Sequence, residues 1–370
     1  MEECPEMRLL IVYPYIPLYR VGIFRALVGV PQLSVVIAAD AVSPNGIATV
    51  DPSTLSDHRR LRNHQRGNVL WQSGLLRILI AERYDAAVFL ADAAYLSTWL
   101  AAIVARLRKM RVYFWTIGWH KPDSGIKRLV RIWFYRLSDC LWLYGNVGKQ
   151  IGLEAGFPPA KMTIIGNSLS TLRSVDFDAE PEISDCSMFD DGVLVLGAVL
   201  RVIHAKRLDL LIEAASVLQG RSVRVGVMIV GDGPELAGLV DLAGSLDVDL
   251  RCVRAVYSEA NLGNVYMHLD ITVVPGAIGL TAVQSLMHGT PVVTHSNPWA
   301  QGPEWESVVP GVTGELFTEG NVEGLADAIE RVLANLNRDR REVEKACRRE
   351  AAEKWSVERQ LELVMRALND

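Results

Sequence analysis

The feature that most narrows the fold is a rhythm. Short, unbroken apolar runs alternate with stretches of helical spacing, stop once, and start again. Residues 9–13, 33–39, 86–90, 112–115, 140–144 and 162–165 are apolar runs of strand length. Between them apolar residues recur three and four positions apart. Strands buried on both faces imply a parallel sheet covered by helices. Residues 167–190, acidic and rich in Ser, Asp and Pro, break the rhythm and read as an interdomain linker. Runs at 193–196, 225–230, 271–274 and 291–294 then resume it, with helical spacing over 208–218 and 322–336. A charged helix toward Trp355 and a last helix to Asp370 close the chain. The expected architecture is two doubly wound α/β domains, whose ligands sit beyond the carboxyl ends of the strands.

A length of 370 residues suits two domains of ordinary size, and 50% hydrophobic with 22% charged residues suits a globular chain. The best candidate membrane span, residues 86–105, carries Asp92, so no transmembrane helix is expected. The apolar run at 9–12 is too short for a signal peptide. Cys4, Cys140, Cys186, Cys252 and Cys347 are dispersed without a CxxC pair. That argues against a disulfide framework and for a reducing, cytoplasmic setting. The net charge of −5 is uneven: residues 1–175 carry +9 and residues 176–370 carry −14. The first half is therefore suited to an anionic partner. No helix-turn-helix, zinc finger or RNA-binding signature accompanies the charge, so nucleic acid is not expected.

Three segments of the second half carry chemistry. After the run at 193–196, a loop bears Arg201 and Lys206 before a helix begins. Two cations there read as an anion site beside a positive helix end, or as solvated surface charges. Next, Gly231-Asp232-Gly233-Pro234 forms a tight turn after a strand. It is a weak signal alone, and a purely structural turn is the stronger reading. Third, a glycine-bearing loop over 275–280 opens a helix that ends at Gly289. Backbone N–H groups of Ile278, Gly279 and Leu280 are candidates to face a sugar or phosphate. No phosphate-loop motif, HExxH or convincing DxD metal motif is present.

In this order, and with Pro303-Glu304 and Gly311-Val312-Thr313-Gly314 following, the segments resemble the C-terminal half of the family 4 retaining glycosyltransferases. The resemblance covers about 120 residues strongly and the rest loosely. It implies the GT-B fold: two Rossmann-like domains facing a central cleft, with a C-terminal helix crossing back to the first domain. The implied boundaries are 1–172 with 355–370 for the acceptor domain, 173–190 for the linker, and 191–354 for the nucleotide-sugar domain. The implied activity is transfer of a sugar, with retention, from a nucleoside diphosphate to an acceptor hydroxyl. UDP is the first choice of nucleotide and GDP the second. The acceptor is a sugar, a lipid-linked molecule or a small molecule. No cofactor and no metal are expected, because Arg201 and Lys206 meet the diphosphate charge. The donor-binding set is Gly231, Arg254, Val256, Gly276, Ala277, Ile278, Gly279, Leu280 and Gln284.

Two departures stand out. The family's paired glutamates, eight positions apart, fall on Gly276 and Gln284. Gln284 still offers hydrogen bonds to a ribose, whereas Gly276 offers no side chain. Another GT-B enzyme, such as a sugar-nucleotide epimerase, and a non-catalytic nucleotide-sugar or partner-binding protein therefore remain as alternatives.

In the first half, the loop 13–22 resembles a PxxPxYR variant of polysaccharide-assembling members. Tyr15 and Tyr19 offer faces to sugar rings, and Arg20 offers a charge to an anionic acceptor; the other reading is a packed loop with a structural arginine. The resemblance places His120, beyond the run at 112–115, against the donor sugar as a catalytic residue beside Arg201 and Lys206; the other reading is a structural or surface histidine. Asp92 is an acceptor contact or a helix N-terminal residue. Residues 125–137 are basic and aromatic at helical spacing, with a second basic stretch at 58–66. They suit anionic lipid headgroups at the inner face of the cytoplasmic membrane, or a helix that packs Ile132 and Trp133 into the core.

Overall fold

The computed structural model describes residues 7–43, 48–169, 189–256 and 258–369. Most of the expected linker lies outside them. The chain divides into two compact units, residues 1–170 with 357–370, and residues 171–356.

The first unit carries strands β1 (Met7–Pro17), β2 (Leu33–Asp40), β3 (Thr49–Val50), β4 (Asp57–Arg60), β5 (Arg62–Arg66) and β6 (Val69–Ser73). It continues with β7 (Ala86–Leu90), β8 (Arg111–Thr116), β9 (Cys140–Leu143) and β10 (Met162–Ile164). Its helices are α1 (Val21–Val28), α2 (Leu75–Ala81), α3 (Leu96–Leu107), α4 (Gly125–Tyr135) and α5 (Asn146–Glu154). The main sheet runs β10-β9-β8-β7-β1-β2-β4 with parallel neighbours, while β3 pairs antiparallel with β1. The apolar strands are buried on both faces, as continuous Val, Ile and Leu runs require. Strand order reverses between β1 and β7, so the loops after these two strands diverge and leave a crevice. Strands β4 and β5 are polar and β6 is short, so none was evident from hydropathy; β5 and β6 form an antiparallel hairpin.

The second unit carries β11 (Leu194–Val199), β12 (Val225–Val230), β13 (Leu250–Val253), β14 (Ile271–Val274), β15 (Val292–His295) and β16 (Gly314–Phe317). Its helices are α6 (Leu208–Gly220), α7 (Leu236–Ser245), α8 (Glu259–Met267), α9 (Thr281–His288) and α10 (Val322–Lys354). All neighbours in the order β13-β12-β11-β14-β15-β16 are parallel, and the order reverses between β11 and β14. The two helices expected over 322–355 are both present and meet at Asp339, which leaves helical geometry (φ −159°, ψ 88°); α10 spans the pair. The closing helix α11 (Val357–Asn369) belongs to the first unit. Its Gln360 is buried and bonded to both Ser168 and Gly166. Arg111 donates to the carbonyl of Leu368 at 2.6 Å.

Among the described residues, Cys252 and Cys347 are free thiols. No described helix is long and apolar enough to cross a membrane.

Candidate functional site

Each unit gathers candidate residues at the point where its strand order reverses. In the second unit the loops after β11, β12, β13 and β14 leave from the same edge of the sheet, because the strands are parallel. The β11 loop carries Arg201 and then a short 3-10 turn, His204–Lys206. The β14 loop carries Gly276 to Leu280. The two loops are hydrogen-bonded together: Gly276 N–H donates to the Lys206 carbonyl at 2.9 Å, and Ala277 N–H to that of Ala205 at 3.0 Å. Lys206 Nζ donates in turn to the carbonyl of Ala277 at 2.5 Å and lies 3.5 Å from that of Ile278. Burial lowers its pKa from the usual lysine range, and the nearby carboxylate of Glu304 opposes that shift. Arg201 is exposed, and among the described residues it has no hydrogen-bond or ion-pair partner. One cation is thus held rigidly, and the other is left open to an anion.

The close approach of these loops explains Gly276. A Cβ added there would stand 2.1 Å from the Ala205 carbonyl oxygen and 2.7 Å from the Lys206 carbonyl carbon. No side chain fits, so a glutamate at this position is excluded by backbone. The glycines of the Gly231-Asp232-Gly233 turn have the same cause. A Cβ on Gly231 would meet Leu200 O at 1.9 Å, and one on Gly233 would meet Val202 O at 1.9 Å. Gly231 therefore serves this edge by letting the β11 and β12 loops pack together.

Two further members of the donor set have internal partners. Ile278 N–H donates to the buried Gln301 side chain at 2.9 Å and does not face an external anion. Gln301 also bonds Thr294 and the His295 carbonyl, so it braces the whole β14 loop from behind. Gly279 and Leu280 N–H groups have no intramolecular acceptor among the described residues and lead into α9. They remain the two backbone donors of the loop. Gln284, on α9, accepts from the buried Tyr266 hydroxyl at 3.4 Å, and Tyr266 stacks on His288. On the β13 loop Arg254 is exposed, whereas Val256 packs against the apolar cluster beneath.

Glu304, of the Pro303-Glu304 pair, is a further member of this edge that sequence spacing does not mark as functional. It lies on a 3-10 turn, Pro303–Ser307, and is 5% exposed. A Cβ on Gly302 would stand 2.7 Å from its Oε2 and 3.4 Å from Gly279 Cα, so the carboxylate is beside the β14 loop. A buried carboxylate that acts electrostatically on a half-buried lysine is a frequent mark of a functional site.

The first unit brings all five of its candidates together. Tyr15, Tyr19, Arg20, Asp92 and His120 line one cavity of about 330 Å³ at its strand-order reversal. Arg20 is 7% exposed and lies over the rings of Tyr144, at 4.7 Å, and Trp115, at 5.6 Å. Asp92 lines the cavity and its Oδ1 accepts from Ala94 N–H in the loop before α3, whose N-cap position is Tyr95. His120 stands where burial and then Arg131 lower its pKa, with Asp92 opposing. Sequence reasoning missed Tyr95, Tyr144 and Arg131, which the topology delivers from three separate segments. Burial, then the Asp92 charge, pushes the Tyr95 hydroxyl up to about 12. Arg131 pairs with Asp123 and donates to the Gly118 carbonyl at 3.2 Å. Among the described residues no three His, Cys, Asp or Glu side chains are grouped to hold a metal ion.

The comparisons with known proteins follow this division. Residues 180–351 match the family described as glycosyl transferases group 1. A glycogen synthase of Francisella tularensis subsp. novicida is 28% identical over 216 residues, which is 55% of this chain and 43% of that protein. The chain thus spans less than half the length of this relative. Among solved structures, Anabaena Alr3699/HepE in complex with UDP superposes with a TM-score of 0.72 at 16% identity, covering 98% of this chain and 99% of that one. A glycosyltransferase from Rickettsia africae gives 0.74 at 15%, covering 98% and 97%. The fold is the GT-B fold, with two Rossmann-like units.

Proposed function

We propose that this chain is a retaining glycosyltransferase of group 1 that moves a sugar from a nucleoside diphosphate to an acceptor hydroxyl. One observation carries the reading. The loop bearing Arg201 and Lys206 and the loop bearing Gly276 to Leu280 are hydrogen-bonded at the strand-order reversal of the segment that matches the group 1 family. That is where a doubly wound sheet binds its ligand.

In this account the second unit holds the donor. The diphosphate lies against Arg201, Lys206 and the N–H groups of Gly279 and Leu280 at the start of α9. Gln284 takes the ribose hydroxyls, and Arg254 and Val256 flank the base. UDP is the preferred nucleotide, because a similar fold is known with UDP bound; GDP is the second choice. The bond between the sugar carbon and the diphosphate oxygen breaks, and negative charge grows on the leaving phosphate. Arg201 and Lys206 stabilise that charge, where preorganised cations act most strongly. The acceptor oxygen bonds to the same face of the oxocarbenium-like sugar, and its proton passes to the leaving phosphate. Glu304 replaces the carboxylate that Gly276 has no room to supply, and fixes Lys206 in place. The cavity of the first unit takes the acceptor. Tyr15, Tyr19 and Tyr95 offer ring faces and hydroxyls, Arg20 and Asp92 offer charge, and His120, which lines the same cavity, is the catalytic residue of this unit.

The test is incubation with UDP-, GDP- and ADP-sugars and an acceptor panel, following nucleotide release and the anomeric configuration of the product by NMR. Retention with one nucleotide is expected. Glu304→Gln should lower kcat by about 10–100-fold with little change in nucleotide affinity. Inversion would overturn the stereochemical part. Tight nucleotide-sugar binding with no turnover across the panel would favour the non-catalytic reading, which the crowding at Gly276 keeps in view.

A further inference from the structure

Helices α3 and α4 lie side by side on one face of the first unit. The rings of Trp99 and Phe134 are 4.9 Å apart, and Arg106 of α3 donates to Leu137 and Asp139 just beyond α4. Their inner faces are filled. Ala101, Ala102 and Ala105 of α3 and Phe134 and Tyr135 of α4 are buried. Their outer faces are not polar. Leu96, Leu100, Ile103 and Leu107 recur at four, three and four residues, which is one stripe of a helix. Ile126, Leu129, Val130 and Trp133 make a second stripe on α4. All eight side chains are between 40 and 79% exposed. Scattered exposed leucines are ordinary, but eight large apolar side chains on two neighbouring helices form a patch that marks an interaction surface. Of the two readings of this helix, packing into the core does not hold for Trp133, which is exposed, while Ile132 is half-buried.

The charge around this patch selects the partner. Neither helix carries a carboxylate. Residues 96–139 hold nine Lys and Arg and two Asp, a net charge of +7. Both aspartates are engaged, Asp123 with Lys127 and Arg131, and Asp139 with Arg106. A second copy of the chain would oppose two such faces and repel. An apolar stripe that enters the acyl boundary, rimmed by cations that meet headgroup phosphates, fits a lipid surface. Trp133 suits that boundary, with an apolar body and a polar edge.

We propose that the α3–α4 face docks the first unit on an anionic lipid bilayer, lying on it without crossing it. The proposal does not depend on the transferase reading, so either can fail alone. The test is co-sedimentation of the full chain with phosphatidylcholine vesicles, with and without phosphatidylglycerol. The expected result is binding to the anionic vesicles that weakens with salt. It should fall by about tenfold or more in Leu129→Ser/Trp133→Ser and in Arg128→Glu/Arg136→Glu. These positions are exposed, so unchanged thermal unfolding of the variants separates lost docking from lost folding. Absence of binding, or equal binding to neutral vesicles, would overturn the proposal. So would a wild-type dimer that both variants dissociate while vesicle binding is unchanged, because a second copy would then cover the face.

Discussion

At position 276 a side chain has no room, and this changes what the missing glutamate means. Position 276 is the point where two loops touch backbone to backbone. Gly276→Ala should therefore destabilise the second unit by about 1–3 kcal/mol, because an overpacked contact with backbone relaxes poorly. Chemical denaturation followed by tryptophan fluorescence would register that loss; an unchanged midpoint would mean that the loops separate freely. Lys206 supplies a second test at this scale. Burial disfavours its charged form, so part of the population loses its proton at a pH where an ordinary lysine keeps it. A bound diphosphate restores the charge. Binding of UDP as the pH approaches the ordinary lysine range should then be accompanied by proton uptake, measured as a dependence of the calorimetric heat on buffer ionisation enthalpy. Lys206→Arg should abolish the uptake, because arginine stays charged. Heats independent of the buffer in the wild type would contradict this account of Lys206.

Between elements, ion pairs join parts that hydropathy does not connect. Glu82, at the end of α2, pairs with Arg59 of β4 at 2.5 Å and with Arg8 of β1 at 2.9 Å. The Arg59 hydrogen bond holds the Glu82 carboxyl down at about 2. The folded pKa lies below the unfolded one, so the stabilisation is present above the ordinary glutamate range and is lost as pH falls through about 2. Glu82→Gln should cost about 1–3 kcal/mol at pH 7 and progressively less on acidification. Parallel denaturation curves for the two proteins from pH 7 to pH 2 would check it; a constant difference would show that packing, not charge, is what the variant loses. The kink of α10 has a local cause too. Asp339 leaves helical geometry, and its Oδ1 accepts from Glu342 N–H at 3.1 Å, capping the helix that resumes. The charged composition of the second segment signalled this new helix, and Asp339 marks where it begins.

For the molecule as a whole, the division into two α/β units was legible because parallel strands buried on both faces have an unmistakable apolar run. Strands β4 to β6 were not legible, since an exposed strand such as Arg62–Arg66 carries no hydrophobic period. Edge strand β13, with Arg251 and Cys252 exposed, was missed for the same reason. The candidate sites were legible where motif spacing is local, as for Arg201 with Lys206. They were illegible where topology assembles them: Tyr95, Tyr144 and Arg131 are far apart in the chain, and only the sheet order brings them to one cavity with Tyr15 and Asp92. The closing helix shows the same long reach, with Gln360 bonded to Ser168 and Gly166. Deleting residues 357–370 should speed hydrogen exchange in α1 and near Ser168 while leaving β11 to β16 protected. Equal loss of protection in both units would contradict the assignment of α11 to the first unit. The central claim is that Arg201 and Lys206 form the diphosphate site of a sugar donor, and titration of wild type and Arg201→Ala with UDP and GDP tests it most directly. One nucleotide should bind the wild type, stabilise it by about 2.7 kcal/mol at a hundredfold excess over Kd, and bind Arg201→Ala at least about tenfold more weakly. Absence of binding by either nucleotide, or equal affinity in the variant, would contradict the claim.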